Sequence, residues 1–312
     1  MDLNLLLRGF FHILVVLIFP PFFLGIISRT KALWAGRKSV PLLQVYFDLY
    51  KLLRKGEVIG TTTSWVFRIA PIFILASTIM AGLIIPVGWE TAPLNFSGDF
   101  IFFIYMLALG KVFSVVSALD TGSSFEAMGA SREISFSGLA EPAFFILLTA
   151  LSLFTRTTNF SALFSFTYAF ERVSVLFVVI SSIVLLLMII IEGCRVPVDD
   201  PRTHLELTMI HEVMILDNSG PNLAFIMYAS AIKMVLFGVI LANIMIPGET
   251  SDFITFVLII GILLLIAVII GTIESVMARF RFIHIPEFIF FLSSLGLIVF
   301  SIVILKVYGG LQ

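Results

Sequence analysis

The stretch FITFVLIIGILLLIAVIIGT, residues Phe253–Thr272, carries no charged residue and is long enough to cross a bilayer as one helix. Crossing ~30 Å of hydrocarbon takes about 20 predominantly apolar residues in helical form. The rest of the chain has the same character, since 60% of its 312 residues are hydrophobic and only 12% are charged. Soluble domains carry about 25% charged residues, so this composition excludes an ordinary soluble enzyme. We predict an all-α, polytopic integral membrane protein.

Further segments meet the same criterion of length and apolar composition. With the first stretch included, the predicted spans are Gly9–Ile27, Trp65–Pro86, Phe100–Leu119, Gly138–Phe154, Val173–Ile191, Asn222–Ile246, Phe253–Thr272 and Glu287–Lys306. A β-barrel is excluded, because barrel strands alternate apolar and polar residues in units of about 10. Residues 1–312 are therefore predicted to form a single transmembrane domain of about eight helices.

Lysine and arginine are distributed unevenly between the two sides of the predicted bundle. One side carries Arg29, Lys31, Arg37, Lys38, Lys51, Arg54, Lys55, Arg68, Arg132, Arg195, Arg202, Arg279 and Arg281. The other side carries only Arg8, Arg156, Arg172 and Lys306. Because cytoplasmic loops are enriched in these residues, we expect the first side to face the cytoplasm and both termini to face the periplasm or exterior. We therefore expect the protein in the cell (inner) membrane, with two long cytoplasmic loops at residues 28–64 and 192–221.

The remaining composition limits the chemistry that the chain performs alone. A net charge of −1 gives no support for a nucleic-acid partner. The single cysteine, Cys194, excludes an internal disulfide and a multi-cysteine iron–sulfur or zinc site. Walker loops, dinucleotide-binding glycine motifs, nucleophile elbows and paired histidines for haem are absent from the sequence. We predict no catalytic residue, cofactor or metal site, since His204 and His211 lack an HExxH motif and a Cys/His cluster.

The richest group of titratable residues is EGCRVPVDDPRTHLELTMIHEVMILDNSGP, residues Glu192–Pro221. Acids clustered with histidines suit proton transfer, because neighbouring carboxylates raise one another's pKa toward neutrality. We assign these residues to a proton path: Glu192, Asp199, His204, Glu206, His211, Glu212 and Asp217. The alternative for any single residue is a polar cap over the bundle. Asp200 before Pro201 also predicts the start of a short amphipathic helix that continues to Val213.

A second polar group, residues Asp120–Pro142, precedes the fourth predicted span. Its glycines and serines predict tight turns at the membrane edge. Glu126 and Glu141 extend the predicted proton path, and Glu141 is the most deeply embedded acid. For Glu141, the alternative is a permanent ion pair with one of three cations: Arg132, Lys111 or Lys233.

Two further charged residues complete the predicted proton path: Lys233 inside the sixth predicted span and Glu274 at the end of the seventh. An intramembrane charge costs ~2.5–3.5 kcal/mol on insertion scales, so each needs a partner, water or a function. For Glu274, an ion pair with Arg279 is the structural alternative.

The segment VPLLQVYFDLYKLLRKGE predicts an amphipathic helix at the membrane interface. Leu42, Val45, Leu49 and Leu52 fall on one stripe at helical spacing. Simple anchoring to lipid headgroups and docking of a soluble partner both explain this pattern. For the docking interpretation, we assign Gln44, Asp48, Lys51, Arg132, Arg195 and Arg279 to the partner surface.

Several motifs of the chain are similar to motifs of a known family. PLLQVYFDLYKLLRK, residues Pro41–Lys55, and the E..R.P.D pattern of Glu192–Asp199 resemble subunit 1 of respiratory complex I. DTGSSFEAMGASRE (Asp120–Glu133), AEP (Ala140–Pro142) and ESVMARFRF (Glu274–Phe282) look more like the related membrane subunit of formate hydrogenlyase and other group 4 membrane-bound [NiFe]-hydrogenases. The matched blocks occur in the same order and span nearly the whole chain.

The resemblance implies a non-redox membrane subunit that holds an electron-transfer arm against the bilayer. It implies that [NiFe] and iron–sulfur centres belong to hydrogenase-like large and small subunits, with antiporter-like membrane subunits as further partners. A chain of carboxylates in the family leads toward those antiporter-like subunits. By position, the match points to Glu141, Glu192, Asp199 and Glu206.

The chain also departs from the complex I pattern. Arg202 and His204 occupy positions where complex I has two further acids, and a basic cluster, Arg29–Lys31, replaces an expected Glu–Arg pairing. These departures disfavour quinone binding and favour an ion-path subunit of the hydrogenase type, with H+ or Na+ as the coupled ion. The alternatives are complex I subunit 1 itself, an autonomous proton or cation transporter, and a purely structural anchor.

Overall fold

The computed structural model describes residues 9–88, 92–164, 172–199, 209–246 and 252–308. Within these ranges the secondary structure is helical, and eight helices are long and apolar enough to cross a membrane. They are α1 Gly9–Trp34, α3 Trp65–Ile84, α4 Asp99–Asp120, α5 Ser124–Thr155, α7 Arg172–Glu192, α9 Gly220–Met245, α10 Asp252–Val276 and α11 Ile285–Tyr308. Three shorter helices are α2 Gln44–Arg54, α6 Phe160–Leu163 and α8 His211–Met214. The predicted all-α, multi-pass architecture is confirmed.

Helix α5 begins much earlier than the predicted fourth span. The expected turn occurs only at Thr121–Ser123, where Gly122 has a φ of 71°; from Ser124 the helix is continuous, so the turns expected between Ser124 and Gly138 are wrong. Small residues serve close packing there, because a Cβ atom on Gly129 would lie 2.3 Å from a Val213 side-chain carbon of α8. Only a glycine lets these two helices approach so closely.

Helix α1 contains a π-helical turn, Leu14–Ile18, and continues beyond the predicted end of the first span. Pro21 has no backbone N–H to donate to the Leu17 carbonyl in the usual helical pattern. The Tyr228 hydroxyl donates to that carbonyl, and the Tyr46 hydroxyl donates to the Ile18 carbonyl. Side chains from α9 and α2 thus satisfy backbone groups of α1, as a membrane interior requires.

Helix α9 is the centre of the bundle. It packs against α1, α2, α3, α7 and α10, and most of its side chains are buried. Extensive contacts also join α3 to α4, α5 to α11 and α1 to α10. Charged residues on α7 and α9 can therefore meet inside the bundle.

Polar contacts tie the connecting segments together at both ends of the bundle. At the end that we call the basic end, the Val58 backbone N–H donates to Ser219 Oγ over 2.9 Å. At the opposite end, the Gly98 backbone N–H donates to the Thr158 carbonyl over 3.1 Å. Segments 35–64, 193–199 and 277–281 all belong to the basic end.

Helix α2 lies along the basic end with the amphipathic pattern that we predicted. The stripe that includes Leu49 and Leu52 is half-buried, whereas Lys51 is exposed. Gln44 Nε2 donates to Asp48 Oδ1 over 2.8 Å, so these two residues of the predicted docking surface bond to each other.

Candidate functional site

Four charged side chains from four helices meet inside the bundle. Lys111 Nζ of α4 is 2.9 Å from Glu141 Oε1 of α5 and 2.6 Å from Glu192 Oε1 at the end of α7. Lys233 Nζ of α9 is 3.2 Å from Glu192 Oε2. We call these four residues the central charge cluster. The structure therefore contains the ion pair between Glu141 and Lys111 that we gave as the alternative for Glu141.

The central charge cluster lies deep in the bundle. Lys111 is about 14 Å along α4 from Asp120 and about 18 Å from Asp99, at 1.5 Å per residue. Two lysines compensate two glutamates, which a low-dielectric interior requires. Glu192 is almost fully buried, but the Glu141 side chain is 38% exposed on the outer surface of α5.

Glu192 reaches the cluster because α7 stops inside the bundle and the following segment, 193–199, folds back against α9. Gly193 makes this possible, because a Cβ atom there would lie 2.7 Å from the Ile189 carbonyl oxygen and 2.9 Å from Met234 Sδ. The backbone of this segment is bonded internally, as where the Arg195 N–H donates to the Ile190 carbonyl over 2.9 Å. Irregular backbone at membrane depth is tolerated only when protein covers it.

A cavity of about 40 Å³ connects the cluster with polar side chains nearer the basic end. Lys111, Lys233, Glu133 and His211 all line it. A cavity needs roughly 10–15 Å³ to hold one water, so this cavity admits two or three. His211, which we predicted for a proton path, thus shares a water-sized space with both lysines of the cluster.

Two further cavities of about 20 Å³ each adjoin Lys111. One lies between Glu141 and Glu192, and the other is lined by Glu192 and Asp199. Each is large enough for a single water. The second of these cavities thus adjoins both Glu192 of the cluster and Asp199, whose partner Arg279 belongs to the basic end.

Asp199 connects the segment 193–199 to Arg279 and to the backbone at the start of α8. Its Oδ1 is 2.9 Å from Arg279 Nη2, and its Oδ2 accepts the backbone N–H groups of Ile210 and His211 over 3.1 and 3.2 Å. Because these bonds fix the His211 backbone, they also fix the position of its side chain beside the cavity.

Glu274 forms ion pairs other than the one with Arg279 that we gave as its structural alternative. Its Oε2 is 2.5 Å from Lys31 Nζ, and its Oε1 is 3.4 Å from Arg195 Nη1. The expected partner, Arg279, makes the ion pair described above instead. The reason is that α10 ends at Val276, so the two side chains are no longer on one continuous helix.

The arginines assigned to partner docking are engaged within this chain. Arg132 Nη1 donates to the Met209 carbonyl over 2.8 Å. The guanidinium carbons of Arg132 and Arg279 lie 4.6 and 5.5 Å from the centroid of the Phe282 ring. These contacts, with the Arg195 pair, hold the basic end together.

Other residues of the predicted proton path lie apart from the cluster. Glu126 is buried, and its Oε1 accepts the Asp217 backbone N–H over 2.9 Å. The Asp217 side chain is exposed, and Glu212 lies half-buried on α8 without lining the three cavities. The following lie outside the described residues: Asp200, Pro201, His204 and Glu206.

Four phenylalanines close the interior on the side away from the basic end. The ring centroids of Phe144 and Phe237 are 5.0 Å apart, and Phe103 is 5.4 Å from Phe160 and 6.2 Å from Phe144. We call these residues the phenylalanine cluster. The cavity between the two glutamates ends against Phe144 and Phe237. The cavities that adjoin Lys111 therefore lead toward the basic end and the outer surface of α5.

Comparison with known proteins identifies the family of this chain. The profile of the family described as NADH dehydrogenase matches residues 9–305, nearly the whole chain. The chain belongs to the NADH dehydrogenase family. This finding agrees with the motifs that resemble complex I subunit 1.

Individual relatives place this NADH dehydrogenase family chain more narrowly. Hydrogenase-4 component C of Escherichia coli (strain K12) is 29% identical over 292 residues, which cover 90% of this chain and 91% of that protein. Formate hydrogenlyase subunit 4 of the same strain is 28% identical over 275 residues, which cover 86% and 89%. The resemblance to hydrogenase-type membrane subunits is confirmed.

A solved structure shares the fold. A chain of the membrane-bound sulfane sulfur reductase, an archaeal respiratory membrane complex, matches with a TM-score of 0.78 and 16% sequence identity. The match covers 96% of this chain and 100% of the other. At this identity the likeness shows the common fold of the NADH dehydrogenase family chain and its counterpart.

The sequence analysis missed two residues of the site in this NADH dehydrogenase family chain, Lys111 and Glu133. We treated Lys111 only as an ion-pair alternative for Glu141, and we left Glu133 out of the proton path. A lysine in the middle of an apolar span is itself a functional signal, since its cost demands a partner. Glu133 gave no such signal, because the true start of α5 was not recognised.

Cys194 offers a direct probe of these cavities in the NADH dehydrogenase family chain. It lines the cavity with Glu192 and Asp199, and burial raises the pKa of its thiol well above the usual value. Since only the thiolate reacts, labelling by a small methanethiosulfonate should accelerate about tenfold per pH unit from pH 7 to 9 without a plateau. Intact-mass spectrometry measures the rate at this single cysteine.

The matched control for this labelling is a Cys194→Ala, Ser39→Cys variant, which moves the thiol to an exposed position. Its labelling rate should level off near the ordinary cysteine pKa of about 8.5. A plateau at the same pH for the native Cys194 would contradict its burial.

Proposed function

We propose that this chain is a non-redox membrane subunit of an energy-converting oxidoreductase of the hydrogenase or formate hydrogenlyase type. It anchors the electron-transfer subunits at its basic end and carries protons from there to a neighbouring membrane subunit. The observation that carries the proposal is the central charge cluster, with water-sized cavities on one side and Glu141 on the outer surface. The names of the Escherichia coli relatives, as components of hydrogenase-4 and formate hydrogenlyase, support the class of complex.

Lys111 is the moving part of the proposed mechanism. It bonds Glu141 and Glu192 at once, so a small displacement of one ammonium group changes the charge balance at both carboxylates. When Lys111 moves toward Glu192, Glu141 loses the only cation that pairs with it in the described part of the chain, and it takes up a proton. When Lys111 returns, the proton leaves. Lys233 stays beside Glu192 throughout and compensates its charge.

The proposed exit from the chain is lateral. Lipid cannot cover a partly exposed carboxylate at membrane depth without a cost of ~2.5–3.5 kcal/mol. A partner chain that packs on α5 removes that cost, and the exposed Ser135, Gly138 and Pro142 on the same surface allow its close approach. We assign this surface to an antiporter-like membrane subunit, which receives the proton from Glu141.

Protons fit this path better than Na+. A cation entering the central charge cluster would meet Lys111 and Lys233, and like charges at such short range repel strongly in a low dielectric. Among the described residues, no group of three or more His, Cys, Asp or Glu side chains gathers in a way that holds a metal ion. A proton instead moves along carboxylates and waters, and it needs only the small displacement of Lys111 between Glu141 and Glu192.

We further propose that the basic end faces the cytoplasm of the inner membrane and that both termini face the periplasm or exterior. Hydrogenase-like large and small subunits, which would hold the [NiFe] and iron–sulfur centres, then dock at the basic end. Helix α2 supplies the accessible part of this docking surface through Gln44, Asp48 and Lys51.

An autonomous transporter is disfavoured by the phenylalanine cluster. A transmembrane path through this chain alone would pass from the central charge cluster to the opposite end. Phe103, Phe160 and Phe237 are fully buried along that direction, and Phe103 contacts the other two rings edge to face. A lateral route needs no opening of this packing.

Purification through a tag on this chain tests the membership in a complex. In mild detergent, mass spectrometry should identify hydrogenase-like large and small subunits together with antiporter-like membrane subunits. Recovery with NADH-reactive or quinone-reactive subunits would assign the chain to complex I proper. Recovery of the chain alone would contradict the proposal.

Substitution of Glu141 by Gln tests the proton path. In inverted membrane vesicles that contain the complex, Glu141→Gln should lower the protons translocated per electron by at least about tenfold, since one proton carrier is removed. Electron transfer in the detergent-solubilised complex should persist. The control is Glu287→Gln, because that side chain is 70% exposed and pairs only with His284 among the described residues. If Glu141→Gln translocates as many protons per electron as the native complex, the chain acts as a structural anchor without a proton path.

A further inference from the structure

An apolar crevice of about 400 Å³ lies where the amphipathic helix α2 meets α1 and α9. Its walls include Leu17, Pro21, Leu49, Leu53, Leu75 and Phe225. None of its lining residues belongs to the central charge cluster or to the cavities beside it. Its volume lies within the range of about 300–1,000 Å³ that is typical of ligand-binding cavities.

The inner walls of the crevice offer hydrocarbon and ring faces only. The hydroxyls of Tyr46 and Tyr228 line it, but they are already bonded to the carbonyls of Ile18 and Leu17 in the π-helical turn of α1. A polar headgroup seated inside would lose its hydrogen bonds to water and find no replacement. The chemistry of these walls therefore selects an extended hydrocarbon chain.

The mouth of the crevice is cationic. Tyr50 and Leu53 are half-exposed there, and the Arg54 guanidinium carbon lies 4.3 Å from the centroid of the Tyr50 ring. Arg54 is exposed and forms no ion pair with any residue that the structure describes. Lys51 and Lys55, both exposed, are its neighbours at the end of α2. This rim complements an anionic headgroup.

We propose that this crevice binds one acyl chain of an anionic phospholipid, whose phosphate is held by Arg54. Guanidinium groups bind phosphate through paired, charge-assisted hydrogen bonds, and the adjacent lysines add attraction. The crevice lies beside an interfacial helix, and the half-exposed Ile18 leaves its side open toward the bilayer. The bound lipid fastens α2 to α1 and α9. This inference is independent of the proposed function.

Native mass spectrometry of the full-length chain, purified with any partners that accompany it, tests the proposal. The protein is mixed with equal amounts of phosphatidylglycerol and phosphatidylethanolamine that have identical acyl chains. We expect preferential retention of phosphatidylglycerol, reduced about tenfold by Arg54→Gln, since a charged hydrogen bond is lost. Leu53→Trp, which fills the mouth of the crevice, should reduce retention of both lipids.

Matched controls separate the site from general surface effects. Arg281→Gln removes an exposed arginine elsewhere at the basic end, and Leu43→Trp adds a tryptophan at a half-exposed leucine outside the crevice. Both should bind lipid like the native chain. Equal retention of the two lipids, unchanged retention in Arg54→Gln, or preferential retention of an isoprenoid quinone at the same concentration would each overturn the proposal. Should Leu53→Trp fail to fold, Arg54→Gln alone decides.

Discussion

Replacement of Lys111 by Met should destabilise the folded chain by about 3–5 kcal/mol, the range for breaking a buried ion pair by removing one partner. Within the residues that the structure describes, Glu141 would lose its one paired cation, and Glu192 would keep Lys233 alone. The methionine has a similar length, so lost packing contributes little. Denaturant unfolding in detergent micelles, followed by tryptophan fluorescence, measures this change in the free energy of unfolding.

The double variant Lys111→Met, Glu141→Gln provides the decisive control, because it removes both members of one ion pair. Most of the lost stability should return, since the Glu141 carboxylate that Lys111 compensates is removed together with the lysine. Lys38→Met, which removes an exposed lysine outside the spans, should change stability by no more than about 0.5 kcal/mol. An effect of Lys111→Met as small as that of Lys38→Met would disprove the electrostatic role of the central charge cluster.

Replacement of Phe237 by Ala should open the phenylalanine cluster and make the chain leak protons. Phe237 contacts both Phe144 and Phe103 and closes the cavity beside Glu141. The truncation should cost about 3–5 kcal/mol and leave a cavity that joins the existing one. In liposomes that contain the purified chain, an imposed pH gradient should decay faster for Phe237→Ala than for the native protein.

Phe290→Ala is the matched control for this experiment, because Phe290 is mostly exposed on α11 and takes no part in the cluster. It should leave both proton permeability and stability close to native. Rapid decay of the gradient with the native chain would show that the cluster is no seal and would revive the autonomous transporter. If the Phe237→Ala variant folds normally and does not increase the proton permeability of the liposomes, other residues close the path.

The membrane spans were predictable from the sequence because a long uncharged apolar segment is stable only in the bilayer interior. The start of α5 was not predictable, because glycine and serine occur both in turns and where helices pack closely. Gly129 is explained only by Val213 of α8, a partner distant in sequence. The same limit applies to α1, where Tyr46 and Tyr228 from other helices donate hydrogen bonds to carbonyl groups next to the prolines.

The site was predictable in its residues but not in its pairings. Glu141 and Glu192 were recognised because acids in apolar surroundings need an explanation. That Lys111 lies between them depends on which helices are neighbours, and no local pattern specifies this. Glu274 pairs with Lys31 and Arg195 instead of its alternative partner Arg279 for the related reason that sequence spacing predicts contact only while the helix continues.

The order in which the cluster is synthesised bears on how the chain enters the membrane. From the N-terminus, its members appear as Lys111, Glu141, Glu192 and Lys233. Their running sum of charge is therefore +1, 0, −1 and 0. At no stage of translation does the growing chain hold more than one uncompensated cluster charge. Each new span can thus leave the translocon beside a counter-ion already in place or soon to follow, which keeps the cost of insertion low.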